Sequence, residues 1–224
     1  MPDLNVNRKG YIVGQTASTQ AAARDVTTGS AVEATGGVAG AVQYFASPGR
    51  GGGTYRYIRT FFHFDTSGIT SALTSAILHI PSSGSSNDSD VVVVASDAFG
   101  GNGSALADTH FPKLDFGVQY SSALSTWNSG GSNNTITLNS TARSAITSSN
   151  HFICAVIDSA SDLADEDPLE GGSGDLSVGI NFGGTIKIAY VLAGYSESVY
   201  SVSSSGVDSI IGAAPSAIEK VIGA

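Results

Sequence analysis

Between residues 55 and 80, polar and apolar positions alternate in two runs around a turn. In the first run Ile58, Thr60, Phe62 and Phe64 share one side, and Tyr57, Arg59, Phe61, His63 and Asp65 share the other. A period of two in a stretch rich in aromatic and β-branched residues predicts a strand with one buried face. The turn formers Asp65-Thr66-Ser67-Gly68 follow. The second run sets Ala76, Leu78 and Ile80 against Ile77 and His79.

The rest of the chain continues this pattern in short pieces. Tyr11-Ile12-Val13 reads as a strand, and TASTQAAARD after it as a helical turn or an extended arm. Val38, Val42 and Tyr44-Phe45 mark another strand, residues 82–90 a polar turn, and 91–95 a continuous apolar strand. Residues 96–113 form a long loop, of the kind that in compact domains tends to be functional or disordered. Strands are predicted at 114–120, 136–138 and 152–157. A short helix is predicted at 140–147, capped by Asn139 or Ser140. Residues 176–182 and 185–192 read as a hairpin across Gly183-Gly184. Many short strands and one short helix predict an all-β fold, an antiparallel β-sandwich of jelly-roll type. Residues 1–24 are an N-terminal arm or first strand, 25–194 the sandwich, and 195–224 a separate tail.

That tail repeats every eleven residues. Acids recur at Glu197, Asp208 and Glu219; Val199, Ile210 and Val221 correspond, as do Tyr200, Ile211 and Ile222. Read as a helix, Val207, Ile210, Ile211, Ile218, Val221 and Ile222 fall on one apolar stripe, which Pro215 would kink; an extended form is the alternative. So apolar a terminus calls for a surface to cover it, which makes these six residues candidates for docking or oligomerisation. The repeat is similar to the short degenerate tail repeats of phage structural proteins.

Arg59, then Phe64-Asp65 with Ser67 and Ile69, then Ser75-Ala76-x-Leu78 resembles the start of the DNRLRE family. Thr66 stands where that family usually has Leu. The resemblance covers about 25 residues, with a weaker echo at Trp127 and over 136–157. It implies a β-sandwich module of the kind that accompanies secreted carbohydrate-active enzymes or builds surface and fibre proteins. The motif describes a scaffold rather than a reaction.

Composition narrows the function. A net charge of −9 works against nucleic acid and against anionic membranes, both of which need a basic footprint. Charged residues make up only 13% of the chain and Gly, Ser and Thr are plentiful, an association seen in secreted and virion proteins. The first residues lack the apolar core of an export signal, which points to release by another route. The single cysteine, Cys154, lies in an apolar run and reads as a core residue. The glycine-rich stretch 47–53 lacks Gly-Lys-Ser/Thr and leads into a strand, so it is no phosphate cradle.

Three kinds of site remain as candidates. The acidic loop after residue 157 offers Asp158, Asp162, Asp165 and Asp167, whose clustered oxygens suit a structural calcium ion, although the spacing is not that of an EF-hand. A glycan platform needs aromatic faces and a few polar groups: Trp127 with Asn128, and Tyr55 with Tyr57, meet that description. Phe99, Phe111 and Tyr120 are further aromatic candidates. Arg59 is expected to pair with a carboxylate or brace a turn. The histidines are dispersed and no nucleophile elbow occurs, so no catalytic residue or cofactor is assigned. The expected function is a non-enzymatic component of a virion or extracellular-surface assembly, in contact with copies of itself or another structural protein. The alternative is a carbohydrate-binding module for a surface polysaccharide.

Overall fold

The structure is a computed structural model and describes residues 2–33, 39–49, 53–87, 89–101 and 103–194. The six tail residues singled out for assembly lie outside the described residues, as do 50–52 of the glycine-rich loop. In chain order the elements are β1 (Asp3–Asn5), β2 (Arg8–Gly14), α1 (Gln20–Arg24), β3 (Gly29–Glu33), β4 (Ala39–Ser47), β5 (Thr54–Asp65), β6 (Leu73–Asn87) and β7 (Val91–Ser96). Then come β8 (Leu114–Gln119), β9 (Asn133–Thr137), α2 (Ser140–Ser148), β10 (His151–Asp158), β11 (Gly174–Asn181) and β12 (Lys187–Leu192). The fold is all-β: one large antiparallel sheet with minor helical content. Its strands follow the order β1-β12-β6-β11-β4-β5-β10-β7-β8, with β2 joined to β5, β3 joined to β2, and β9 joined to β6.

The alternating run around Phe62 becomes β5, which is paired along its whole length. β4 takes residues 54–58, β2 takes 58–63, and β10 takes 60–65. Two strands of the first 24 residues are woven into this sheet, because β1 pairs with β12 and β2 with the middle of β5. Thr19 caps α1 by accepting from the Ala22 amide at 3.2 Å. Asn139 caps α2 by accepting from the Ala142 amide at 3.0 Å, as its sequence position suggests.

Three expectations change. First, β5 is buried on both faces. Phe62 and Phe64 enter a first core with Leu78 and Ile80 of β6, Ile136 of β9, Cys154 and Val156 of β10, and Ile146 of α2. Tyr57 and Phe61 enter a second core with Tyr44, Val92, Val94, Ile153, Phe99 and Phe111. Arg59 and His63 made that second face look solvated, but the connections between β7 and β8 and between β10 and β11 fold over it. Second, the predicted polar turn at 82–90 is largely strand: β6 runs on to Asn87, and Ser82 and Ser86 face Ile180 and Val178 of β11. The register shifts between these two pairs, where Gly84 takes a positive φ. Third, β11 and β12 do not form a hairpin. β12 pairs with residues 73–79 of β6, and β11 with the later part of β6 and with β4. The two strands are successive partners of one long strand, and the Gly183-Gly184 turn carries the chain between them. A Cβ on Gly184 would stand 2.6 Å from Cγ of Pro81, so the crossing there requires glycine.

Candidate functional site

The densest polar cluster lies beneath the second face of β5. Alternation points Arg59 of β5 into the second core, where its side chain is 1% exposed. Nε and Nη2 donate to the two oxygens of Asp162 at 2.7 and 2.6 Å; Nη1 donates to Phe111 O and Nη2 to Arg24 O, both at 2.9 Å. The guanidinium also lies 4.0 Å from the centroid of Phe111. Such a fork is the arrangement that makes a buried ion pair tolerable, since four of the five guanidinium N–H groups are answered.

Asp162 reaches Arg59 because the chain after β10 makes a single wide helical turn, Ser159–Leu163. Asp158 starts that turn: its Oδ1 accepts from the Ser161 amide and hydroxyl, each at 2.7 Å, and its Oδ2 from the Ser89 hydroxyl at 2.6 Å. The hydroxyl of Tyr57 donates to Ser161 O at 3.1 Å, and burial pushes that phenol well above its ordinary range. Gln20 of α1 donates to Glu166 O, and Arg24 to Asp162 O at 2.6 Å. Asp167 accepts from Tyr44 at 2.9 Å and from the amides of Leu169 and Gly171.

The acidic loop is therefore a clasp rather than an open cation seat. Asp158 and Asp162 are buried and committed to protein donors, while Asp165 stands half-exposed 3.7 Å from Arg24. Among the described residues no three His, Cys, Asp or Glu side chains gather into a group that would hold a metal. Ser89, Ser161 and Arg24 belong to this cluster and were not singled out in the sequence. Serines and one arginine in a small-residue chain carry no pattern of their own.

The candidate platform residues are not brought together. Trp127 is a residue of the first core and Tyr57 of the second, both buried, which removes them as exposed faces. Tyr55 packs half-buried at the edge of the second core. Asn128 is exposed, but its amide and carbonyl are engaged by Asn134. Phe99 and Phe111 are fully buried and Tyr120 nearly so. An open groove of about 720 Å³ lies instead where β7 and β8 slip in register, lined by Ser96, Asp97, Leu114, Asp115, Phe116 and Gly117.

Two histidines that are distant in sequence meet across β5 and β10. Nε2 of His63 lies 3.1 Å from Nδ1 of His151, while the buried Nδ1 of His63 has no hydrogen-bond partner. A bare lone pair at that nitrogen costs less than an unanswered N–H, which favours the tautomer in which His63 donates through Nε2. Burial, then His151, hold the pKa of His63 below its ordinary value; Asp65 opposes and Arg8 reinforces the shift. The unfolded chain thus binds this proton at a higher pH than the folded one. Stability should be intact above about pH 6.5 and fall as the pH drops from there through the folded-state pKa. Urea midpoints at pH 7.5 and 5.5 should show that fall in the wild type and a shallower one in His63→Leu; equal slopes would remove His63 as the cause. Cys154 is fully buried, its thiol pushed well up by burial, and it is inert packing.

These features define a class: an all-β domain whose buried ionisable groups brace its own second core, with no reactive constellation assembled among the described residues. Set against known proteins, the chain matches no family model and no curated protein. No helix among the described residues is long and apolar enough to cross a membrane.

Proposed function

We propose that the chain is a non-enzymatic structural component of a virion or extracellular-surface assembly, of capsid-decoration or tail-fibre type. On this reading it is a DNRLRE-like sandwich of jelly-roll type, held in place by its C-terminal repeat. The sandwich reading is supported by the first core, where residues of β6, β9 and β12 meet residues of β5, β7 and β10 in one cluster. The DNRLRE-like reading gains a local rationale at Thr66: its hydroxyl donates to Ser149 O at 2.6 Å, a bond that Leu would not make.

One contrast carries the functional reading. Residues 2–194 turn their polar chemistry inward, to the Arg59–Asp162 fork and the capped turn around it. The residues after them carry Val and Ile at a regular eleven-residue spacing. Apolar side chains repeated along a terminal segment lower their free energy by leaving water, and in an assembly the natural cover is another copy or another structural protein.

Light scattering on the full chain and on a version ending at Gly194 tests this. The full chain should assemble, and the shortened one should be a folded monomer with an unchanged urea transition. Identical monomers would sink assembly through the tail. The β7–β8 groove would then come forward as the site of a polysaccharide-binding module. Phe116 offers it an apolar face and Asp97 and Asp115 acceptors for sugar hydroxyls, and a glycan array would test that reading.

A further inference from the structure

His110 lies in the connection between β7 and β8, at the end of the short turn Asp108–His110. Its Nδ1 accepts twice: the Ala107 amide donates to it at 3.0 Å and the Phe99 amide at 3.3 Å. A ring nitrogen that accepts carries no proton, so His110 is neutral here, with its proton on Nε2. Protonation puts an N–H at Nδ1, pointed at two other N–H groups with no acceptor between them. Both bonds are then lost together.

The two sides of this contact are held differently. Phe111, the residue after His110, is firmly seated. Its carbonyl accepts from Arg59, its ring lies under that guanidinium, and a Cβ on Gly14 of β2 would stand 2.6 Å from Cζ of the ring. Asp108 ties the same turn to β3, its Oδ1 accepting from the Ala31 amide at 2.6 Å. Phe99 is the strained side. It is fully buried in the second core, yet its φ is 58°, a left-handed conformation that an aromatic residue keeps only where its surroundings impose it. Its amide is bonded to His110, its carbonyl accepts from the Ser104 amide at 2.7 Å, and its ring meets His63 edge to face at 6.0 Å.

We infer that His110 is an acid-operated latch on the second core: neutral, it holds Phe99 in place, and protonated, it releases Phe99 and opens that core locally. The latch is independent of the assembly reading. Burial holds the pKa of His110 below its ordinary value; Asp97 opposes the shift and Lys113 reinforces it. On β5, beneath Phe99, the titratable neighbour is His63, with His151, Asp65 and Arg8 around it, and Arg59 lies against Phe111. Once released, His110 takes up its proton near the ordinary value of about 6.5. The latch is therefore shut above about pH 6.5 and loosens as the pH falls from there through the folded-state pKa. Across that window the opening constant rises about tenfold per pH unit, as one bound proton requires.

Amide exchange on the full-length chain, corrected for the intrinsic rate at each pH, reads the opening at Phe99 and Ala107. A dye that brightens on exposed apolar surface reads the release of Phe99. From pH 7.5 to 5.5 both amides should open progressively, with dye binding, while the amides of β5 remain the slower. His110→Asn sets an acceptor oxygen about where Nδ1 stands and cannot titrate, so it should stay shut at both pH values. His110→Ala removes the acceptor and should be open at both. Wild-type opening that does not change with pH overturns the latch. So does acid opening of His110→Asn that matches wild type, which would assign the effect to another group such as His63. Should His110→Asn fail to fold, the wild-type imidazole titration followed by NMR decides. A His110 curve displaced below 6.5 and coincident with the opening at Phe99 supports the latch, and a His110 that titrates at its ordinary value while Phe99 stays shut overturns it.

Discussion

Arg59→Met is expected to destabilise the protein by about 3–5 kcal/mol, and Asp162→Leu by a similar amount. Losing Asp162 strands Arg59 in a core where both side chains are 1% exposed, and losing Arg59 leaves Asp162 only the looser contact with Arg24 at 3.8 Å. Losing Arg59 also leaves Phe111 O and Arg24 O without their donor. The double variant should recover most of that loss, because two apolar side chains of similar length remove the desolvated charges together. Urea unfolding of the four proteins forms a thermodynamic cycle, and a strong coupling between the two sites is the expected result. Single variants within about 1 kcal/mol of wild type would mean that water reaches the fork and answers the stranded group.

Phe61→Ala is expected to cost about 3–5 kcal/mol, as much as Phe62→Ala beside it. A strand buried on one face only would give a large loss at Phe62 and almost none at Phe61. Both rings are fully buried, Phe61 in the second core and Phe62 in the first, where it lies 6.4 Å from Phe182 edge to face. Equal losses in denaturant would confirm two cores sharing one strand. A neutral Phe61→Ala would mean that the covering connections are loosely held.

The comparison between the two phenylalanines also shows where the sequence was legible. The alternation from Ile58 to Asp65 located β5 and sorted its side chains by face, and the pairing expected for Arg59 is there. Alternation cannot say what lies opposite a face. The second face carries Arg59 and His63, so it reads as wet until residues far along the chain, Phe99, Phe111 and the turn at 159–163, are seen to cover it. The same limit explains the platform residues. Trp127 and Tyr57 have the right chemistry for stacking on a sugar, but burial depends on three-dimensional neighbours that spacing does not encode. In the acidic run after residue 157, spacing did not show that one arginine some hundred residues earlier, and serines before and within the run, supply donors to Asp162 and Asp158. For the hairpin, Gly183-Gly184 is a true turn signal; which strands it joins side by side was decided by the length of β6.

That long strand and its late partners bear on how the chain is made. β5 and β6 leave the ribosome early, yet β10, β11 and β12 that flank them come from the last third of the described residues, and β1 waits for β12. Until synthesis reaches about residue 192 the nascent chain holds β5 or β6 without some of their partners, first β10 and then β11 and β12, a state in which strand-rich chains are prone to pair wrongly. Folding of this sheet is thus largely postponed until that point of the chain has been made, and its yield in a cell depends on what shields those strands in the interval.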